Sequence, residues 1–105
     1  VMSMEEGVRK LTFMVASIFG LHGRGLLRPG MAADLCLFDP ATIRECDPEM
    51  VQDLPGNEKR FIQKANGIEM TIVNGAVLVE KDEHTGALPG AVLGSGSGNG
   101  LQAAA

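Results

Sequence analysis

Ile68-Glu69-Met70-Thr71-Ile72-Val73-Asn74-Gly75-Ala76-Val77-Leu78-Val79-Glu80 is the stretch that decides the fold class of this chain. Ile68, Met70 and Ile72 alternate with Glu69 and Thr71, the two-residue period of a strand with one face turned inward. A second run, Ala76 to Glu80, follows after only two residues. Those two are Asn74-Gly75, and a two-residue hairpin loop of type I′ needs positive φ at both of its central positions, which Asn and Gly tolerate best. The pattern predicts a β-hairpin with strands near 68–73 and 76–80.

Outward from the hairpin the chain remains β-rich. Ala33 to Phe38 is short and nearly all apolar, which predicts a strand buried on both faces. Cys36 within it reads as a buried, reduced thiol, and Cys46 forms no CxxC pair with it. Asp39-Pro40 closes this strand, because proline cannot donate to a ladder. Thr42 to Cys46 reads as a strand or a turn. Asp47-Pro48 is a candidate start of a short helix, with Asp as cap and Pro in the first turn. Pro55-Gly56-Asn57 reads as loop and Arg60 to Gln63 as extended. Beyond the hairpin, Lys81 to Gly90 is a second turn region, and Ala91-Val92-Leu93 is a candidate last strand. The closing residues, 95–105, are rich in Gly, Ser and Ala and read as a flexible tail.

Towards the N-terminus the period changes. Val8, Leu11, Val15 and Phe19 recur at helical spacing, flanked by Met4 and Ile18. Ser3 followed by Glu6 is a capping box, and Gly20 suits the position after a helix. These signals predict a helix from about 4 to 19, with Met14 and Ile18 widening its apolar face. Gly20, Gly23, Gly25 and Pro29-Gly30 then mark a loop, the last pair fitting a type II turn. The fold class expected is α+β, mainly β: one N-terminal helix, then a small partial β-sandwich containing the hairpin. The boundaries are 1–20 for the helix, 21–94 for the β domain and 95–105 for the tail.

Composition narrows the function by exclusion. The chain has 105 residues, room for one small domain, and 9 Lys and Arg against 13 Asp and Glu give a net charge of −4. An acidic balance without basic runs does not suit a nucleic-acid binder. No apolar stretch approaches the roughly 20 residues that span a bilayer. The opening residues have neither a basic region nor an apolar core of the secretory kind, which leads us to expect a cytoplasmic origin. The register runs from Val1 almost directly into the helix, as if further chain preceded it.

Candidate chemistry is sparse. His22 and His84 are the only histidines and lie far apart, with no HxH or HExxH spacing. Ser3, Ser17, Ser95 and Ser97 lie at a cap, on a helix and in the tail, none within a GxSxG elbow. Gly23-Arg24-Gly25 follows a helix instead of opening one, so it reads as turn and not as a phosphate cradle. Lys81, among Glu80, Asp82 and Glu83, reads as a solvated turn. No catalytic, cofactor-binding or metal-ligating residue is expected in this chain.

A resemblance accounts for this pattern. Leu11-Thr12, Ala16, Gly20-Leu21, Arg24-Gly25, Pro29-Gly30, Ala33-Asp34 and Asp39-Pro40 resemble the junction near the C-terminus of metal-dependent amidohydrolases. Gly67-Ile68, Val73-Asn74-Gly75, Thr85-Gly86, Pro89-Gly90 and Leu93 resemble the closing stretch of their N-acyl-D-amino-acid deacylase (D-aminoacylase) branch. The chain departs from that pattern at Val15, where proline is usual, and at Ala91 and Gly94, where arginine is usual. The resemblance implies that residues 4–19 are the last helix of a (β/α)₈ barrel and that residues 21–94 are part of a β-sandwich completed by N-terminal strands. It further implies zinc in the full-length parent, held by residues upstream of this segment, where the metal activates water against an amide carbonyl. The expected role is therefore a structural fragment, with the rest of the parent or a second copy of the chain as partner. The competing expectation is a self-contained β-rich assembly module with no enzymic role.

Overall fold

The computed structural model describes residues 1–94; the tail expected at 95–105 lies outside the described residues. The chain starts on a helix in three parts: α1 (Met4–Arg9), a π-helical segment (Lys10–Met14) and α2 (Val15–Ile18). The Ser3 hydroxyl accepts from the Glu6 amide at 3.2 Å, which is one half of the expected capping box. The other half does not form. Glu6 turns its carboxylate to Arg9, one turn on, with contacts of 2.8 and 2.9 Å. Thr12 and Ser17 donate their hydroxyls to the carbonyls of Val8 and Phe13, four residues back. Such bonds compete with the regular ladder, and the first of them enters the π-helical segment. The helix closes one residue earlier than the period suggests. Gly20 takes φ 67, its amide reaches the Ser17 carbonyl, and the Leu21 amide reaches the Ala16 carbonyl at 2.8 Å. That pair of bonds is the Schellman closure.

Pro29-Gly30 forms the expected turn, with Gly30 at φ 87 and the Met31 amide donating to the Arg28 carbonyl. Among the described residues eight strands follow, in chain order β1 (Leu35–Phe38), β2 (Arg44–Glu45), β3 (Glu49–Val51), β4 (Arg60–Ile62), β5 (Ala65–Asn66), β6 (Ile68–Val73), β7 (Ala76–Glu80) and β8 (Glu83–His84). Four of them make an antiparallel sheet in the order β1-β6-β7-β8, while β2 pairs with β5 and β3 with β4 as short separate ladders. An α+β chain with mainly antiparallel strands is what the sequence predicts.

The β6–β7 hairpin has the predicted boundaries, with Asn74 at φ 48 and Gly75 at φ 79. Register slips by one residue between Thr71 and Ile72, so that Val77 and Val79 face consecutive residues of β6 and Leu78 is the extra one. Thr85 closes this bulge. Its hydroxyl lies 2.6 Å from the Val77 carbonyl and 3.2 Å from that of Leu78, and its amide donates to Leu78 at 2.9 Å. The turn between β7 and β8 is again two residues long, and Lys81 and Asp82 take φ 49 and 66.

Four expectations are corrected. Asp47-Pro48 starts no helix; it leads into β3, because Glu49 to Val51 find ladder partners in Ile62, Phe61 and Arg60. The apolar run at 33–38 is a strand only over Leu35–Phe38. It is not buried on both faces, since it lies at the sheet edge with Cys36 and Leu37 exposed. Cys36 is thus an exposed thiol, and both cysteines are free. Ala91 to Leu93 contributes a single bridge at Val92 and no strand.

Packing is thin. Among the described residues Ala16, 7 % exposed, is the one buried apolar side chain. The helix lies against the loop that follows it: a Cβ on Gly25 would stand 2.8 Å from the Phe13 Cα, so this approach admits only glycine. The radius of gyration is 16.1 Å, against about 13 Å for a compact domain of this length. Leu11, Ile18, Phe19, Leu27 and Leu88 are all more than half exposed.

Candidate functional site

The densest set of directed polar contacts lies at the tip of the β6–β7 hairpin. Asp34, just ahead of β1, sits beside the turn because β1 runs antiparallel to β6 with Leu35 opposite Ile72. One Asp34 oxygen accepts the Asn74 amide at 2.9 Å; the other pairs with the Arg24 guanidinium. The neighbouring Ala33 carbonyl accepts the Gly75 amide at 2.9 Å. On the far side, the Asn74 side-chain amide donates to the Pro89 carbonyl at 2.7 Å. Four stretches distant in sequence are thereby tied to one turn: the loop after the helix, the start of β1, the hairpin and the segment after β8.

This cluster has no arrangement suited to catalysis. Both oxygens of Asp34 are engaged by structural donors, and Asn74 uses its backbone and side-chain amides on fixed acceptors. No nucleophile stands beside a base, and no group is left poised to move a proton onto a substrate. The cluster can clamp a loop, a strand edge and a turn together. Arg24, read from sequence only as a turn residue, is the cation of that clamp, with 18 % of its side chain exposed. Spacing alone could not have joined it to Asp34 ten residues on and to Asn74 forty further, since nothing local records the pairing.

The other residues considered from sequence are dispersed. His22 is exposed in the loop after the helix. His84 ends β8, and its Nδ1 accepts the Gly86 amide at 2.9 Å. Lys81 sits in the exposed turn after β7. Among the described residues no group of three or more His, Cys, Asp or Glu side chains could hold a metal ion, so the residues present do not fit a zinc centre. No helix among them is long and apolar enough to cross a membrane. A shallow, open depression lined by Pro48, Phe61, Ile62 and Gln63 lies on the β3–β4 arm, without converging polar groups.

Among the described residues three exposed ion pairs brace the periphery, the loosest being Lys64 with Glu49 at 3.4 Å. Arg60 on β4 holds Asp53 through two bonds of 2.6 and 2.7 Å, keeping the aspartate below, and the arginine above, its ordinary pKa. Arg9 does the same for Glu6 on the helix. Glu5 is also lowered, first by a backbone hydrogen bond and then by Ser3.

The fold and the clamp together define a β-rich module with a helix at its entrance, built around turn motifs. Comparison with known proteins gives the family. The sequence model of the Amidohydrolase family matches residues 1–79, and the chain belongs to that family. It is 37 % identical over 90 residues to a D-aminoacylase of Alcaligenes xylosoxydans xylosoxydans, a match covering 86 % of this chain and 17 % of that protein. It is 38 % identical over 96 residues to an N-acyl-D-aspartate deacylase of the same organism, covering 90 % of this chain and again 17 % of the relative. The chain therefore spans about a sixth of the length of these relatives. No solved structure matches it.

Proposed function

We propose that this chain is the C-terminal, non-catalytic part of a cytoplasmic amidohydrolase that cleaves the amide bond of N-acyl-D-amino acids or related compounds. One observation carries the reading. The positions that match the amidohydrolase pattern are those that hold the module together: Gly20 and Leu21 close the helix, Gly25 meets Phe13, Arg24 pairs with Asp34, Asn74 bonds Pro89, and Thr85 closes the bulge. Residues placed for joining, in a chain corresponding to 17 % of its relatives, support a role in holding a larger enzyme together. In this reading the helix is the last of a barrel, and the sheet is one part of a sandwich completed by other strands of the parent. Zinc belongs to that parent. This chain's described residues do not supply its ligands, and no reaction step is assigned to them.

The test is an assay of zinc content and of N-acetyl-D-amino acid hydrolysis on this chain and on the full-length gene product. Activity and bound zinc in the full-length protein, with neither in the chain alone, is the expected result. Stoichiometric zinc retained by the chain and lost in His22→Ala or His84→Ala would overturn it.

A further inference from the structure

Two Asn-Gly pairs lie among the described residues, Asn66-Gly67 and Asn74-Gly75; a third, at 99–100, lies outside them. Asn-Gly is chemically labile, because glycine leaves the following peptide nitrogen unhindered for attack on the asparagine side-chain carbonyl. The structure treats the two pairs differently. At Asn74-Gly75 the attacking nitrogen is tied up, since its N–H donates to the Ala33 carbonyl at 2.9 Å. The leaving group is tied up as well, since the Asn74 side-chain amide donates to the Pro89 carbonyl at 2.7 Å. A third bond, from the Asn74 amide to Asp34, fixes the residue between them. Asn74 and Gly75 are both exposed, so water has access and burial does not shield the pair; its hydrogen bonds and the two-residue turn hold it. The side-chain amide of Asn66, also exposed, makes no such bond.

We propose that Asn74 is a conformation-gated deamidation site, kept intact by the folded clamp and released when the clamp opens. In the released state the Gly75 nitrogen bonds to the Asn74 side-chain carbon, and the bond from that carbon to the amide nitrogen breaks. Ammonia leaves, carrying the proton lost by Gly75, and a succinimide ring remains. Water then opens the ring at either carbonyl, giving aspartate or isoaspartate, without any oxidant or reductant. Either product works against the clamp. An aspartate has no N–H to give the Pro89 carbonyl and adds a carboxylate beside that of Asp34. An isoaspartate lengthens the backbone by one carbon and breaks the geometry of a two-residue turn. Opening is thereby converted into a change that does not reverse.

The full chain is incubated at neutral pH in buffer and in urea, digested, and each Asn-Gly peptide followed by the mass gain of an amide turned acid and by isoaspartyl methylation. In buffer Asn74 is expected to convert at least about ten times more slowly than in urea, because reaction then waits on local opening, and more slowly than Asn66 in the same digest. Asp34→Asn, which removes the ion pair but keeps an acceptor, is expected to speed Asn74 in buffer. Hydrogen exchange at the Gly75 amide reads the same opening in the unmodified protein, and slow exchange there is expected. Conversion of Asn74 in buffer as fast as in urea, or as fast as Asn66, would overturn the proposal, as would unprotected exchange at Gly75.

Discussion

Asp34 ties together parts of the chain far apart in sequence, because one carboxylate serves both the Arg24 guanidinium and the Asn74 turn amide. Removing it takes away two bonds at once, each worth about 0.5–1.5 kcal/mol net, since the freed donors are not buried and can turn to water. Asp34→Ala is expected to destabilise the chain by about 1–3 kcal/mol, read as a lower urea midpoint, and Arg24→Ala by less because the Asn74 bond survives it. A midpoint unchanged in Asp34→Ala would mean that the clamp forms without contributing. The peripheral pairs act through pH. Asp53 and Glu6 are both held below their ordinary range by arginines, so the folded state binds protons less readily than the unfolded state. Their contribution is present above the unfolded carboxylate pKa of about 4 and is lost as pH falls through the lower folded value. Both pairs are exposed, which makes the effect small and sensitive to salt. The melting temperatures of the wild type and Asp53→Asn, different at neutral pH, are expected to converge below about pH 3. A constant gap across that range would assign the difference to something other than the charge.

At the scale of elements, the hairpin and its bulge are the stable frame. Gly75 sits at φ 79 in a turn whose other central residue is also left-handed, and a β-branched side chain resists that conformation. Gly75→Val is expected to lose about 1–3 kcal/mol; a wild-type melting temperature would refute the type I′ assignment. Thr85 is a separate case, because its hydroxyl bridges the two carbonyls displaced by the bulge in β7. Thr85→Val keeps the shape and removes the donor, which is expected to cost up to about 1 kcal/mol and to raise amide exchange in β7 and β8 selectively. Uniform exchange across the sheet in that variant would show the bulge to be independent of Thr85.

The whole molecule lacks cover. Phe19 is 64 % exposed, Ile18 74 % and Leu11 81 %, and the apolar strand β1 forms one edge of the four-stranded sheet. Apolar patches and open edges of this kind pair with whatever is available. Under the proposed function, other parts of the same polypeptide would cover them in the parent; for the chain alone the expected partner is a second copy. Self-association of the isolated chain at micromolar concentration is the expected outcome, an isologous dimer being the simplest closed form. Sedimentation velocity with a concentration series checks it. A monomer with a concentration-independent, cooperative melt would favour the self-contained module over the fragment.

The sequence by itself determined what is local. Period two on either side of Asn74-Gly75 placed the hairpin, period near four from Val8 to Phe19 placed the helix, and Gly20 and Pro29-Gly30 placed their turns, because each depends on neighbouring residues' backbone preferences. The matching turn motifs likewise carried the family. Tertiary structure decided the rest. An apolar run such as Leu35 to Phe38 reads as buried whether or not anything covers it, and only the sheet order shows it at an edge with Cys36 exposed. Asp47-Pro48 has the chemistry of a helix start, yet the ladder with β4 fixes the residues after it as a strand. The union of Arg24, Asp34, Asn74 and Pro89 was invisible for the same reason. Contacts between residues separated by 10, 40 and 15 positions are set by strand register, which exists only once β1 has paired with β6.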